Sequence, residues 1–171
     1  TSALLYHVLA GAGASPSALL GGELVREQTN GVIGTSRLLI AEADESDGSF
    51  VRLRPDIAVI TSIDPDINVT ADSYEECGYS RERALHKVTA LFHRFADNVG
   101  RRLIACMDHP NVRRCLTDWK APTTTYGLHS SADLRAVQVT HRDYRVSAEV
   151  FLRGERLGDL QVPLPGVHNL Q

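Results

Sequence analysis

No Gly-x-x-x-x-Gly-Lys-Ser/Thr sequence occurs anywhere in these 171 residues. A nucleotide enzyme on an α/β sheet ordinarily uses that loop's backbone N–H groups and lysine to hold phosphates. Cysteine is scarce too. Cys77, Cys106 and Cys115 are odd in number, widely spaced and form no Cys-x-x-Cys pair, so neither a disulfide framework nor a zinc site is indicated. Cys106 lies in an apolar run and reads as a buried thiol, which suits a reducing cytoplasm. No apolar run approaches the about 20 residues needed to cross a bilayer, and no signal-peptide pattern precedes the first periodic segment. Concentrated positive charge is also lacking: the only adjacent basic pairs are Arg101-Arg102 and Arg113-Arg114, and the formal net charge is −3. Neither a membrane nor a nucleic acid is therefore an expected partner.

What the chain does have is an unusual strand end. Leu38-Leu39-Ile40-Ala41 reads as a buried strand, followed by Glu42-Ala43-Asp44-Glu45-Ser46-Asp47-Gly48-Ser49-Phe50, with four carboxylates in six residues. Open α/β sheets hold ligands at the carboxyl ends of their strands. Clustered acids there need cations, backbone N–H groups or water to offset their repulsion. Mg²⁺ beside a nucleotide is one compensation, and a solvated acidic loop is the other reading. Alternation puts Glu42 and Asp44 on one side, where one would contact the cation directly and the other through water.

The length fits one domain, with room for an attached subdomain. Residues 3–10 form a helix that ends near Gly11 or Gly13. A short strand is expected over 18–25, a turn over 31–36, the acidic strand over 37–43 and a helical excursion from Phe50 to Leu53. Ile57-Ala58-Val59-Ile60-Thr61 is β-branched and without alternation, as a parallel strand covered on both faces should be. A helix over 73–97, capped by Asp72 or Ser73, buries Leu85, Val88, Phe92 and Phe95, with Ala84 and Leu91 widening the stripe. A strand over 102–106, a helix over 110–118 and a strand over 123–126 complete βαβ units. Beyond Gly127, segments 134–140, 144–152 and 157–163 read as an antiparallel meander. The expected division is a parallel α/β core over 1–127, a small antiparallel subdomain over 128–165 and the first turn of a helix over 166–171. Both ends read as cut from something longer.

Further chemistry-bearing residues gather at the next strand end, Thr61-Ser62-Ile63-Asp64-Pro65-Asp66. Asp64 is a ligand candidate there, with a turn or cap role beside proline equally open. His109, before Pro110, helps begin a helix. His168 and Asn169 follow the stiff Pro163-Leu164-Pro165 segment and could present a ring and an amide to the edge of a base, or Asn169 could cap a helix.

Taken together, Ile40 to Phe50 with Leu53 and Pro55, Ala58 to Asp64, Asp108-His109-Pro110, Thr123 to Gly127, and Pro165 to Asn169 resemble the central, ATP-binding domain of the Mur ligase family. The likeness runs over nearly the whole length. It lies with the branch that adds L-alanine to UDP-N-acetylmuramate in peptidoglycan synthesis. It implies a P-loop NTPase-like α/β fold in three layers, with a mostly parallel sheet, helices on both faces and a small antiparallel sheet near the C-terminus. It also implies ATP and Mg²⁺ as cofactors, Glu42 as magnesium ligand and His168 and Asn169 in the adenine pocket. The implied reaction transfers the γ-phosphoryl to the substrate carboxylate, and the alanine amine then attacks the acyl phosphate.

Thr1-Ser2 resembles the tail of the Thr-Thr-Thr/Ser stretch that follows the family's phosphate loop. The resemblance further implies an N-terminal domain for the UDP-sugar and a C-terminal domain that closes over ATP, so the chain alone is expected to be inactive. One departure stands out. The family's Thr-Asn-Ile-x-x-Asp-His is here Thr61-Ser62-Ile63-Asp64-Pro65-Asp66-Ile67, with Ser62 for the amide and Ile67 for a cation-binding histidine. That departure motivates a second reading, a noncatalytic nucleotide-binding or scaffolding homologue.

Overall fold

The computed structural model describes residues 1–65, 81–164 and 166. The chain divides into two compact units, Thr1–Asp44 and Glu45–Gln171.

In the first unit, helix α1 (Ser2–Gly11) precedes strands β1 (Ser17–Leu24), β2 (Thr29–Val32) and β3 (Leu39–Ala41). The sheet order is β2-β1-β3, with β2 antiparallel and β3 parallel to β1. Tyr6, Ala18, Leu20, Leu24 and Ile40 form its core, with Leu9 and Val32 packed against them. Two expectations need correcting. The turn foreseen over 31–36 is partly strand β2, because the hairpin reverses earlier, at Gln28 with φ +52. Gly31, where that turn was expected to begin, lies inside the strand instead. The acidic strand is not buried throughout: among the described residues β3 is an edge strand, Ile40 is its one buried residue, and Leu39 is 68% exposed.

The second unit carries a six-stranded sheet in the order β4-β5-β6-β7-β8-β9. A 3₁₀ turn (Ser49–Arg52) leads to β4 (Ile57–Ile60). Helix α2 (Arg81–Asp97), β5 (Arg102–Cys106), α3 (Pro110–Cys115) and β6 (Thr123–Gly127) follow. Strands β7 (Leu134–Arg142), β8 (Arg145–Leu152) and β9 (Glu155–Val162) finish it. β4, β5 and β6 pair in parallel and β7–β9 antiparallel, so the protein is an α/β chain with mixed sheets flanked by helices. Its core joins Ala58, Ile60, Leu103 and Ala105 of the sheet to Val88, Phe92, Phe95 and Ala96 of α2 and Val112 and Cys115 of α3. The expected apolar stripe of α2 is the buried one, with Leu85 and Leu91 at its margin. The proposed cap at Asp72 or Ser73 lies outside the described residues.

Burial along β4 alternates, which the continuous apolar run concealed. Ala58 and Ile60 are in the core, whereas Ile57 and Val59 are 54% and 41% exposed. The meander is present but is not a separate sheet. Tyr126 and Gly127 pair in parallel with Leu134 and Arg135, so β7 starts beside the end of β6 and runs on past it. That offset lets six residues connect parallel strands without the long crossover that full overlap requires. The two hairpins turn at Asp143-Tyr144 and Arg153-Gly154, each with φ positive at both positions, as two-residue hairpin turns favour.

Candidate functional site

Glu42 lies one residue beyond β3 and still belongs to its ladder. Its N–H donates to the Leu19 carbonyl at 2.9 Å, and its side chain turns back to β1, where Oε2 accepts from the Gly21 N–H at 3.0 Å. One carboxylate oxygen is thereby fixed on backbone while the residue remains exposed. Asp44 is also exposed but lies in coil beyond the strand, so alternation does not set its direction.

The rest of the acidic run is put to structural use in the second unit. The Glu45 carbonyl accepts from the Gly48 N–H at 3.0 Å, and Asp47 accepts from the Ser49 N–H at 2.8 Å at the start of the 3₁₀ turn. The Ser49 bonds hold the Asp47 carboxyl below its ordinary value. Among the described residues no cluster of three or more His, Cys, Asp or Glu is arranged for a metal. A site in which a single carboxylate shared Mg²⁺ with phosphates and water would not form such a cluster.

The carboxyl ends of β4, β5 and β6 are joined by side chains. Asp64 Oδ2 lies 3.1 Å from His109 Nε2, the Ile63 N–H donates to His109 Nδ1 at 3.5 Å, and Asn111 Nδ2 donates to the Ile63 carbonyl at 2.8 Å. Asp108 accepts the Leu128 N–H with both oxygens, at 2.8 and 3.0 Å, and the His129 N–H at 2.7 Å. Gly127 makes this cradle possible: its φ is +143, and a Cβ there would stand 2.6 Å from Asp108 Oδ2. Burial pushes the neighbouring Tyr126 phenol well up, with Cys106 and Asp108 adding to the shift.

Of the residues singled out in the sequence, Glu42 and Asp44 belong to the first unit and Asp64 and His109 to the second. His168, Asn169, Asp66 and Ile67 lie outside the described residues. His109 does stand at the start of α3, as the N-cap residue before Pro110. It makes no side-chain cap bond there, because its ring is turned to Asp64. The bracing by Asp108, His109 and Asn111 was not foreseen. The one available signal was their place directly after a core strand, since tertiary hydrogen bonds leave no periodicity. Cys106 is buried as expected, and among the described residues no helix is long and apolar enough to cross a membrane.

Known proteins resemble the chain at each level. It is 37% identical over 171 residues to the UDP-N-acetylmuramate–L-alanine ligase of Pelobacter propionicus, covering 99% of this chain and 35% of that protein. It is 35% identical over 170 residues to the ligase of the same name from Geotalea daltonii, again covering 99% of this chain and 35% of the relative. The chain thus spans about a third of the length of these curated relatives. In fold it resembles the UDP-N-acetylmuramate-alanine ligase of Thermotoga maritima, with TM-score 0.71, 22% identity and coverage of 98% of this chain and 35% of that one. It also resembles the UDP-N-acetylmuramate:L-alanyl-gamma-D-glutamyl-meso-diaminopimelate ligase of Neisseria meningitides, with TM-score 0.73, 21% identity and coverage of 98% and 53%. Residues 34–171 match the Mur ligase middle domain, and the chain belongs to that family.

Proposed function

We propose that this chain is the nucleotide-handling middle part of an ATP-dependent ligase that joins L-alanine to UDP-N-acetylmuramate in peptidoglycan synthesis. The observation that carries the reading is the 37% identity, sustained over 99% of the chain, to a ligase of that name. A carboxylate acylates an amine poorly until one of its oxygens becomes a good leaving group. Phosphoryl transfer from ATP supplies that group, and the alanine nitrogen then displaces phosphate.

Mg²⁺, when bound, neutralises charge on the transferring phosphoryl group. Glu42 is the proposed ligand on this chain, oriented by the Gly21 N–H, and Asp44 acts through water. His168 and Asn169 are proposed to hold the adenine. Positioning supplies much of such catalysis, and 35% of a relative's length does not carry all of its groups. The 171-residue chain alone is therefore proposed to be inactive. The test is phosphate release by the full-length protein with both substrates, where turnover with a different amino acid and none with L-alanine would move the assignment within the family.

A second reading, a nucleotide-binding or scaffolding homologue without ligase activity, is favoured by Ser62 and Ile67, which weaken the expected second cation position. Isoleucine neither ligates a cation nor donates a hydrogen bond. Under this reading Ile67→His creates Mg²⁺-dependent turnover that the natural protein lacks. Ordinary turnover by the natural protein rejects it.

A further inference from the structure

Asp108-His109-Pro110-Asn111, the segment leaving β5, reaches both neighbouring strands. Toward β6 it supplies the Asp108 cradle for the Leu128 and His129 N–H groups. Toward β4 it supplies His109 and Asn111, which satisfy the two backbone polar groups of Ile63. Ile63 is fully buried outside any strand, so its N–H and carbonyl have no ladder partner and need such side chains.

The two nitrogens of His109 then have distinct roles. Nδ1 faces an N–H and must accept, which leaves the ring proton on Nε2, 3.1 Å from Asp64 Oδ2. The imidazole is 20% exposed and the Asp64 side chain 57% exposed. A mostly shielded ring thus fixes a carboxylate that would otherwise sample several rotamers in water. All of these contacts lie at the carboxyl ends of parallel strands, where sheets of this class bind their ligands.

We propose that His109 is a positioning residue for nucleotide binding. By holding Asp64 and the Ile63 backbone it sets the shape of the Thr61–Asp64 strand end, on which the cation-bearing phosphates of ATP would be received. The inference rests on the ligase reading above and adds to it a residue whose ring need never touch the nucleotide. A purely structural staple would have a different signature, a lower unfolding temperature with nucleotide affinity unchanged.

The test is calorimetric titration of Mg-ATP into the full-length protein and its His109→Ala, His109→Gln, Asp64→Asn and His109→Ala/Asp64→Asn variants, well below their unfolding temperatures. The expected result is a Kd about tenfold weaker for His109→Ala, or about 1.4 kcal/mol. Asp64→Asn should show a similar loss, with the double variant no worse than either single one because the two residues act as a unit. His109→Gln, which keeps a donor near the position of Nε2, should recover most of the affinity. Affinities of all variants within twofold of the natural protein would overturn the proposal, even if their unfolding temperatures fall. Should His109→Ala not fold, unchanged affinity in both His109→Gln and Asp64→Asn would do the same. No binding of Mg-ATP by the natural protein would overturn the ligase reading and the positioning role together, which separates that failure from the failure of His109 alone.

Discussion

Gly127 has no side chain in the place where Asp108 needs room. With φ +143 and 2.6 Å between a built Cβ and the carboxylate, Gly127→Ala adds backbone strain and displaces an acceptor that holds two N–H groups. The expected loss of stability is about 2–3 kcal/mol in denaturant unfolding. A variant as stable as the natural protein would show that the loop re-forms without the cradle.

Asp133 makes a parallel case in which charge matters. It accepts from Thr125 N–H at 2.9 Å and pairs with Arg153 at 3.1 Å, and the Thr125 backbone bond leads the effects that hold its carboxyl below the ordinary 3.8. A lowered folded-state pKa means that the stabilisation is complete above the unfolded value and is lost as pH falls through the folded one. Asp133→Asn should therefore lower stability at neutral pH and flatten the loss on acidification below 3.8. An unchanged acid limb in the unfolding-versus-pH curve would contradict this. The strand that leads into Glu42 was legible at this scale, because an apolar run followed by carboxylates is a local pattern. The bonds that orient it and the brace around Ile63 were not, because Gly21, Asp64 and Asn111 meet their partners across long separations.

At the scale of elements, α2 was the most readable feature: Val88, Phe92 and Phe95 recur at helical spacing and are buried together. β5 was legible as a short apolar run, and its Leu103 is fully buried between helices and sheet. Leu103→Ala is expected to cost about 2–5 kcal/mol of unfolding free energy, through lost transfer energy and the cavity left behind. A cost under about 1 kcal/mol would mean that the core collapses around the missing atoms.

The failures have physical causes too. β2 was missed because its hairpin turns at Gln28, a residue with no strong turn preference, whereas Gly31, expected to open a turn, became strand. The exposure of Ile57 and Val59 was hidden because an apolar run looks the same whether one face or two are covered. The continuity of β6 with β7 was hidden because it rests on two residue pairs, Tyr126 with Leu134 and Gly127 with Arg135.

At the scale of the whole molecule, the α/β class followed from the order of runs and helices, but the division into a three-stranded and a six-stranded sheet did not. Strand order depends on which edges meet, and no single-strand pattern encodes it. The 171 residues contain no Gly-x-x-x-x-Gly-Lys-Ser/Thr sequence, so under the proposed ligase reading the chain alone is expected to forgo several charge-assisted hydrogen bonds to ATP. Two such losses amount to about 3–6 kcal/mol, or roughly two to four decades of affinity. Calorimetry on the 171-residue chain should accordingly show little binding at micromolar Mg-ATP, and a micromolar Kd would contradict the estimate.

Under the proposed ligase reading these residues form the middle of a longer enzyme, and phosphate release by that full-length protein is the decisive measurement. With ATP, Mg²⁺ and UDP-N-acetylmuramate present, turnover should require L-alanine and fall by orders of magnitude in Glu42→Ala. Full turnover in Glu42→Ala, or none with L-alanine in the natural protein, would contradict it.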